Sequence, residues 1–431
     1  MSQQLREMIE HATNAVHAQT KQASLILLHP ESRYRSLVVA QLLKSSAYPA
    51  YYYAFGANDT SLQAFARNFA HTMSEQKPTF GRLLRHAGYT HEENSASQML
   101  LEALIHELEM LHDEPYLLIL DEFDWVDVSE PLFAFWERVI HRLPHQCTLI
   151  LNTRAVPRLS WLTLQAAGQC AILRDTTVVS RVHSRETLSS KDSPQVIVEI
   201  YGFGSGRITL DGRPLEDWEG HLPRLLLFLV LDRPSIRRSE ICRILWPELA
   251  EDQAVNVFHV TKRRLHKAFG RDILQHRDTF YEIASDVRIR YDVDDFVESI
   301  MQARISRDAQ ERVDLLKHSS TLYNGDFLPG YSDPWVVQRR EIFRSAFAQT
   351  LIQLTDHYLS EGRYDAALET LLPSARRDDL SRLHYRILRI YEQSGQHSAG
   401  IEYLDELNCR WISRGLTLPE EIQSLAQRLR Q

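Results

Sequence analysis

The sequence predicts a multidomain protein, α/β in its first part and all-α in its last. Three observations carry that expectation. Short apolar runs at 23–28, 49–55, 115–120 and 147–152 alternate with helical patterns, the layout of a parallel sheet covered on both faces. Alternating strand patterns return at 196–215, followed by helical segments over 222–270 and a hairpin pattern near 272–284. From about residue 293 the pattern is almost wholly helical. The expected boundaries are a domain at 1–182, a polar linker at 183–195 ("HSRETLSSKDSPQ"), a domain at 196–292 and a domain at 293–431. At roughly 100–200 residues per domain, 431 residues suit three.

The first domain opens with Leu5, Met8, Ile9, Ala12 and Val16 at helical spacing. The stretch "LILLHPESRYRS" (25–36) then runs from an apolar strand through a polar loop into "LVVAQLL" (37–43). Strand, loop and helix N-terminus in that order is the layout of a phosphate-binding loop. The pattern G-x-x-x-x-G-K-[ST] needs glycines so that consecutive N–H groups can curl around phosphate oxygens. Here His29 and Tyr34 hold the glycine positions, Arg35 the lysine position, and only Ser36 keeps the expected type. Bulky side chains therefore stand where backbone would meet phosphate. Further helices are expected at 61–73, 96–112 and 131–142, and further strands at "PAYYYAF", "PYLLIL" and "CTLILN".

The middle segment is the richest in chemistry. Ser239 is placed to cap "SEICRILW", and Asp252 to cap "DQAVNVFHVTKRRLHKAFG", which Gly270 closes. On the second helix Ala254, Val257, Phe258, Leu265, Ala268 and Phe269 are expected to face inward. Asn256, His259, Lys262, Arg263, His266 and Lys267 are expected on the opposite face. Between 253 and 271 there are five Lys/Arg and no acidic residue. Such a helix suits the major groove, its cations neutralising phosphates and its Arg and Asn forks reading base edges. Two helices followed by the hairpin "ILQHRDTFYEI" (273–283) make a winged helix-turn-helix, with a wing tip near Arg277 and Thr279 placed to touch flanking DNA.

In the last domain "GRYDAALETLL" begins at Gly362 and "GQHSAGIEYLD" at Gly395, 33 residues later. Small residues recur at the same offsets, Ala366/Ala367 and Ala399/Gly400. A helix–turn–helix period near 34 residues is that of tetratricopeptide (TPR) repeats.

Bulk properties narrow the partners. A formal net charge of −8, with 14 Lys/Arg against 19 Asp/Glu in the first 180 residues, argues against nucleic-acid coating by the whole chain and leaves room for one local basic face. Four well-separated cysteines (Cys147, Cys170, Cys242, Cys409) suit a reduced compartment. The pair His141/His145 lacks the H-E-x-x-H context of a zinc site. The start "MSQQLREMIEHA" has no signal pattern, and the longest apolar run, "LLLFLVL" at 225–231, is far short of the ~20 residues that cross a bilayer. A cytoplasmic, nucleoid-associated protein is expected.

On the pieces "GRITLDGRPL", "LPRLLLFLVL", "RRSEICRILWPE" and "NVFHVTKRRLHKAFG", residues 196–292 resemble the winged-helix domain of the antibiotic regulatory protein family of bacterial transcription activators. On "DVDDFVESI", "LYNGDFLPGYSDPWVVQRRE" and the "GRYDAALE" repeat, residues 293–431 resemble the bacterial transcriptional activator domain that follows it in that family. The stretches "YLLILDEFDWV" (116–126) and "TLILNTRAVPRLSWLTLQAAG" (148–168) resemble the metal-and-water strand and the sensor strand of the signal-transduction ATPases with numerous domains, with Asp121, Glu122 and Arg154 in the matching positions. Residues 1–175 thus resemble a P-loop-like ATPase domain of the maltose-regulator kind whose phosphate loop has decayed. Many relatives carry the DNA-binding domain first, whereas here another domain precedes it.

These resemblances imply a sequence-specific DNA-binding transcription regulator. The DNA site is expected at Asn256, His259, Lys262, Arg263, His266, Lys267, Arg277 and Thr279, and the relict nucleotide site at Arg35, Ser36, Asp121, Glu122 and Arg154. No catalysis, no metal and no cofactor is expected, bound ATP–Mg included. The expected partners are double-stranded DNA, a protein partner or inhibitor held by residues 1–182 or by the repeats, RNA polymerase, and a second copy in a homodimer; no membrane contact is expected. The competing readings are an ATP-controlled signalling switch and a protein-binding scaffold without DNA activity.

Overall fold

The computed structural model describes residues 3–87, 93–179, 196–204, 206–216, 218–233, 235–277, 279–377, 381–413, 415 and 417–430. The expected linker 183–195 lies outside the described residues. The chain divides into two compact units, Met1–Ile200 with Arg207–Arg290, and Tyr201–Gly206 with Tyr291–Gln431. The first expected domain and most of the second thus share one unit, while residues 201–206 and 291–292 of the second fall in the other.

The first part of that unit runs α1 (Gln3–Gln19), β1 (Leu25–Leu28), α2 (Arg35–Ser45), β2 (Ala50–Ala54), α3 (Leu62–Gln76), α4 (Arg82–Ala87) and α5 (Glu93–Glu109). It continues with β3 (Tyr116–Asp121), a 3-10 turn (Phe123–Val128), α6 (Glu130–Ile140), β4 (Cys147–Asn152), α7 (Trp161–Ala166), β5 (Cys170–Arg174) and β6 (Thr177–Val178). The sheet order is β2-β3-β4-β1-β5-β6. Its first five strands pair in parallel, and β6 closes the edge antiparallel to β5.

Alternate residues of each strand point to opposite faces, and both faces are buried. Leu25, Leu27, Leu118, Leu120, Leu149 and Leu151 join the core formed with α3, α5 and α6. Ile26, Leu28, Leu117, Ile119 and Ile150 pack with Ala12 and Val16 of α1 and Val38, Val39 and Leu42 of α2. Continuous apolar strands are what a sheet covered on both sides requires. The first core is strongly aromatic: Tyr53, Phe55, Phe65, Phe69 and Trp136 meet edge-on, tilted or stacked at centroid separations of 5.0–6.2 Å.

The second part contains β7 (Val196–Ile200), β8 (Ile208–Leu210), β9 (Arg213–Pro214), α8 (Leu222–Asp232), β10 (Ile236–Arg237), α9 (Arg238–Leu245) and α10 (Glu251–Phe269). After α10 come β11 (Leu274–Arg277), β12 (Phe280–Ile283) and β13 (Val287–Tyr291). One sheet has the order β13-β7-β8-β9 and the other β10-β12-β11. The antiparallel β11–β12 pair is the hairpin read from the sequence, and β13 was not anticipated.

Both expected N-caps need correcting. Helix α9 starts at Arg238, and the Ser239 hydroxyl instead donates to the Glu130 carboxylate at 2.5 Å. Helix α10 starts at Glu251, which puts Asp252 inside its first turn, where a carboxylate offsets the positive end of the helix dipole without capping an N–H. Gly270 does close α10 as expected, with φ 67 and its N–H on the Lys267 carbonyl.

The other unit contains α11 (Asp292–Ile305), α12 (Ala309–Leu322), α13 (Pro334–Ser360), α14 (Tyr364–Arg377), α15 (Ser381–Gln393), α16 (His397–Ile412) and α17 (Glu420–Leu429). The two repeat glycines have φ 71 (Gly362) and 72 (Gly395), a conformation in which glycine carries no steric penalty, immediately ahead of α14 and α16. At Gly400 an added Cβ would come within 3.0 Å of the Tyr391 Cβ, so glycine permits the close approach of α15 and α16. The segment Tyr201–Gly206 belongs to this unit. Its Phe203 meets the rings of Phe296, Tyr323 and Phe343 at 4.8–5.7 Å.

Candidate nucleic-acid interface and relict nucleotide site

Helix α10 buries one stripe, Ala254, Phe258, Thr261, Leu265 and Phe269, while Val257 and Ala268 lie half-buried at its margins. At 100° per residue the opposite side carries Asn256, His259, Arg263, His266 and Lys267, all exposed. Lys262 departs from the expectation: it lies half-buried on the flank, its ammonium 5.6 Å from the centroid of the Tyr281 ring of β12. Val260 was missed. It is 46% exposed and stands among the polar side chains, an apolar contact point on an otherwise hydrophilic face. Its helical angle alone would have found it.

Carboxylates temper part of this face. Glu219 pairs with both Lys267 and Arg264, and His266 Nδ1 lies 3.0 Å from Asp272 Oδ1. Those contacts lower the Glu219 carboxyl below its ordinary range, with the Lys267 hydrogen bond the leading cause. Asn256, His259, Val260 and Arg263 form the sector away from Glu219 and Asp272. At the hairpin tip Thr279 is exposed with φ 77, and Arg277 is exposed opposite Phe280.

A buried charge cluster joins α8 and α9 to the parallel-sheet part of the same unit. Arg158 Nη1 donates to Glu240 Oε2 at 2.5 Å, and Arg233 donates to Glu240 at 2.9 Å and to Glu137 at 2.9 Å. The Ser160 hydroxyl donates to Asp232 at 3.0 Å. The Arg158 guanidinium also lies 4.2 Å from the Phe133 ring centroid and 5.2 Å from that of Phe280 in the hairpin. Burial pulls the Arg233 guanidinium down, but Glu137, Glu240 and Asp232 outweigh burial and hold it above its ordinary value. No motif announces this cluster, because its members come from four separate stretches of sequence.

The loop after β1 has turned its polar groups inward. The Glu31 N–H bonds His29 Nδ1 at 3.2 Å, the Ser32 N–H bonds the His29 carbonyl at 2.8 Å, and the Arg33 N–H bonds Asp175 Oδ1 at 3.2 Å. Arg35 bends back to donate to the Pro30 carbonyl at 2.5 Å. A carboxylate thus sits at a loop that in a phosphate site would receive phosphate oxygens.

At the end of β3, Asp121 accepts from the Tyr52 hydroxyl at 2.9 Å, from Asn152 Nδ2 at 2.8 Å and from the Glu122 N–H at 2.8 Å. Burial, then the bond to Asp121, raises the Tyr52 hydroxyl well above its ordinary range. Glu122, with φ 52, pairs with the exposed Arg154 at 2.6 Å. The structure therefore gathers Asp121, Glu122 and Arg154 at neighbouring strand ends. Arg35 lines a separate cavity that includes none of the other four expected nucleotide-site residues, and Ser36 is exposed. Among the described residues no cluster of His, Cys, Asp and Glu suits a metal ion, and no helix is long and apolar enough to cross a membrane.

Residues 291–430 match the family of the bacterial transcriptional activator domain. That span is α11 to α17, in agreement with the resemblance carried by "DVDDFVESI" and the repeat glycines. Among solved structures the chain is similar to Mycobacterium tuberculosis EmbR in complex with low affinity phosphopeptide, at 16% identity and a TM-score of 0.41, covering 55% of this chain and 65% of that one. It is also similar to the signal transduction ATPase with numerous domains (STAND) protein with a tetratricopeptide repeat sensor from Pyrococcus horikoshii, at 12% identity and a TM-score of 0.24, covering 95% of this chain and 64% of that one. The matched region is therefore just under two thirds of the length of either structure. No curated protein matches the chain.

Proposed function

We propose that this chain is a cytoplasmic, sequence-specific DNA-binding transcription regulator. Residues 196–292 act as a winged helix-turn-helix, with α10 in the major groove and the β11–β12 tip on the flanking backbone or minor groove. The observation that carries this reading is the outward face of α10, polar and basic opposite a buried stripe that is apolar but for Thr261, directly ahead of a transcriptional activator domain. Arg263 and Asn256 are the base-reading forks, Val260 offers a thymine-methyl contact, and Lys262, Lys267 and Arg277 serve the phosphates.

Residues 1–182 act as a pseudo-ATPase that neither binds nor hydrolyses ATP–Mg. Support comes from the Asp175 carboxylate at the loop and from the three neutral donors already on Asp121. The TPR-like helices of 293–431 receive a protein partner or a second copy of the chain.

The test is retention of genomic fragments by the full chain, followed by fluorescence anisotropy on the shortest retained duplex. Affinity should fall steeply with salt, as counterion release requires. Failure to retain any duplex, or retention unaffected by Asn256→Ala together with Arg263→Ala, would refute the reading.

A further inference from the structure

The cavity beside the relict phosphate loop has a volume of about 240 Å³ and lies between α1, α2 and the ends of β1 and β5. Its walls are Met8, Ala12, Val16, Leu28, Val38 and Leu173. The polar side chains at its edge include His11, Arg35 and Asp175. From these features we infer that the cavity is a binding site for a small, uncharged aromatic molecule of one ring or a fused pair of rings.

Three observations lead there. The first is position: β1 lies between β4 and β5 while β2 lies at the far edge, so the strand order reverses at β1. In open parallel sheets ligands bind beyond the carboxyl ends of the strands at such a reversal. Leu28 and Leu173 are neighbours there, paired in register.

The second is electrostatics. An anionic ligand would meet the Asp175 carboxylate, which the Arg33 N–H already engages, while the Arg35 guanidinium is folded onto the Pro30 carbonyl. Ser32 is likewise committed: its hydroxyl donates to the Leu173 carbonyl at 3.4 Å and accepts from the Asp175 N–H at 2.9 Å. With Ser32, Arg35 and Asp175 committed internally, the lining offers mainly apolar contact, beside the hydroxyls of Tyr34 and Thr176 and the His11 ring.

The third is size. A cavity of about 150 Å³ lined by aliphatic side chains stays dry and takes up benzene, so this one has room for a second ring. It falls below the ~300 Å³ where sites for drug-sized ligands begin. Met8, 47% exposed, stands at the mouth, where its flexible thioether suits an aromatic edge.

Indole and toluene are the probes, titrated into the full chain by saturation-transfer NMR and by thermal unfolding. Saturable indole binding with a raised unfolding midpoint is expected. Ala12→Phe, which fills the cavity, should weaken indole by at least about tenfold. Should that variant unfold, Met8→Trp closes the mouth from an exposed position and should give the same loss. Absence of saturable binding by both probes overturns the inference, as does indole binding that both variants leave unchanged. Saturable ATP–Mg binding lost in Met8→Trp would overturn it in favour of a nucleotide.

Discussion

The Arg158 guanidinium donates to the Glu240 carboxylate at 2.5 Å with both side chains no more than 2% exposed. Glu240 lies on the first helix of the pair that ends in the basic face, and Arg158 lies in the loop between β4 and α7. The contact is therefore a fixed joint between the parallel-sheet part and the helix pair, with Arg233 as a second cation on the same carboxylate. Removing one partner of a buried pair is more damaging than the pair is stabilising, because the survivor keeps a desolvated charge. Glu240→Ala takes the shared carboxylate from two buried guanidinium groups, leaving Arg233 with Glu137 alone, and should lower stability by about 3–5 kcal/mol in urea unfolding. Arg158→Ala should cost less, since Arg233 still serves Glu240. Equal losses for the two would show that the joint is not organised around Glu240.

On the outward face of α10 the reading of sequence and the holding of backbone should separate. Arg263→Ala is expected to weaken operator binding by about 1–3 kcal/mol and to relax preference at one base pair. Val260→Ser should change preference at a thymine with little change in salt slope. Lys267→Ala should lower the slope by less than one full phosphate contact, because Glu219 already shares that charge. Anisotropy titrations across salt concentrations, on operator variants, distinguish these outcomes. A uniform loss for all three would place the reading surface elsewhere.

Asp292 gives a pH signature within the activator-domain unit. Burial pushes its carboxyl up to about 7, against the opposing pull of the Gly202, Phe203 and Val293 N–H groups. A carboxyl raised on folding takes up protons in the folded state. Its contribution is therefore fully present below the unfolded value of 3.8 and is lost as pH rises through about 7. Asp292→Asn should remove this component, flattening the difference in stability between pH 4 and 7 by roughly 2–4 kcal/mol. Unfolding midpoints of the two proteins measured across that range check it; parallel curves would contradict it.

Gly400 sets the spacing of α15 and α16. Valine there would crowd Tyr391 at 3.0 Å and Leu429 at 3.4 Å, and overpacking of this kind costs about 1–3 kcal/mol. Denaturant unfolding of Gly400→Val reads the loss directly. Undiminished stability would mean that α16 shifts freely.

Much of this architecture was legible because periodicity reports burial directly. The runs "LILL" and "YLLIL" have no polar face, which a sheet covered on both sides accommodates, and "CTLILN" is buried along its whole length, Thr148 and Asn152 included. The 33-residue recurrence of a turn glycine placed α14 and α16. The caps were less legible, since Ser239 and Asp252 have the right chemistry one residue inside their helices and tertiary contact with Glu130 decided the role of Ser239. Strand β5 (Cys170–Arg174) was missed because its run is short and its pairing with β1 spans some 145 residues. The inward-turned loop after β1 escaped for a similar reason: its acceptor, Asp175, is 142 residues from Arg33. Charge clusters assembled from distant segments leave no local trace, and Arg158, Glu240 and Arg233 are of that kind.

The short excursion of Tyr201–Gly206 bears on how this polypeptide can be divided. A fragment beginning at residue 291 would lack Phe203, whose ring fills the space between Phe296, Tyr323 and Phe343, and would lack the Gly202 and Phe203 N–H groups that meet Asp292. The helical half borrows a hexapeptide from ninety residues upstream, so a clean cut between the halves leaves a hole in one of them. Severed pieces mixed together should regain what neither holds alone only if the upstream piece still delivers that phenylalanine.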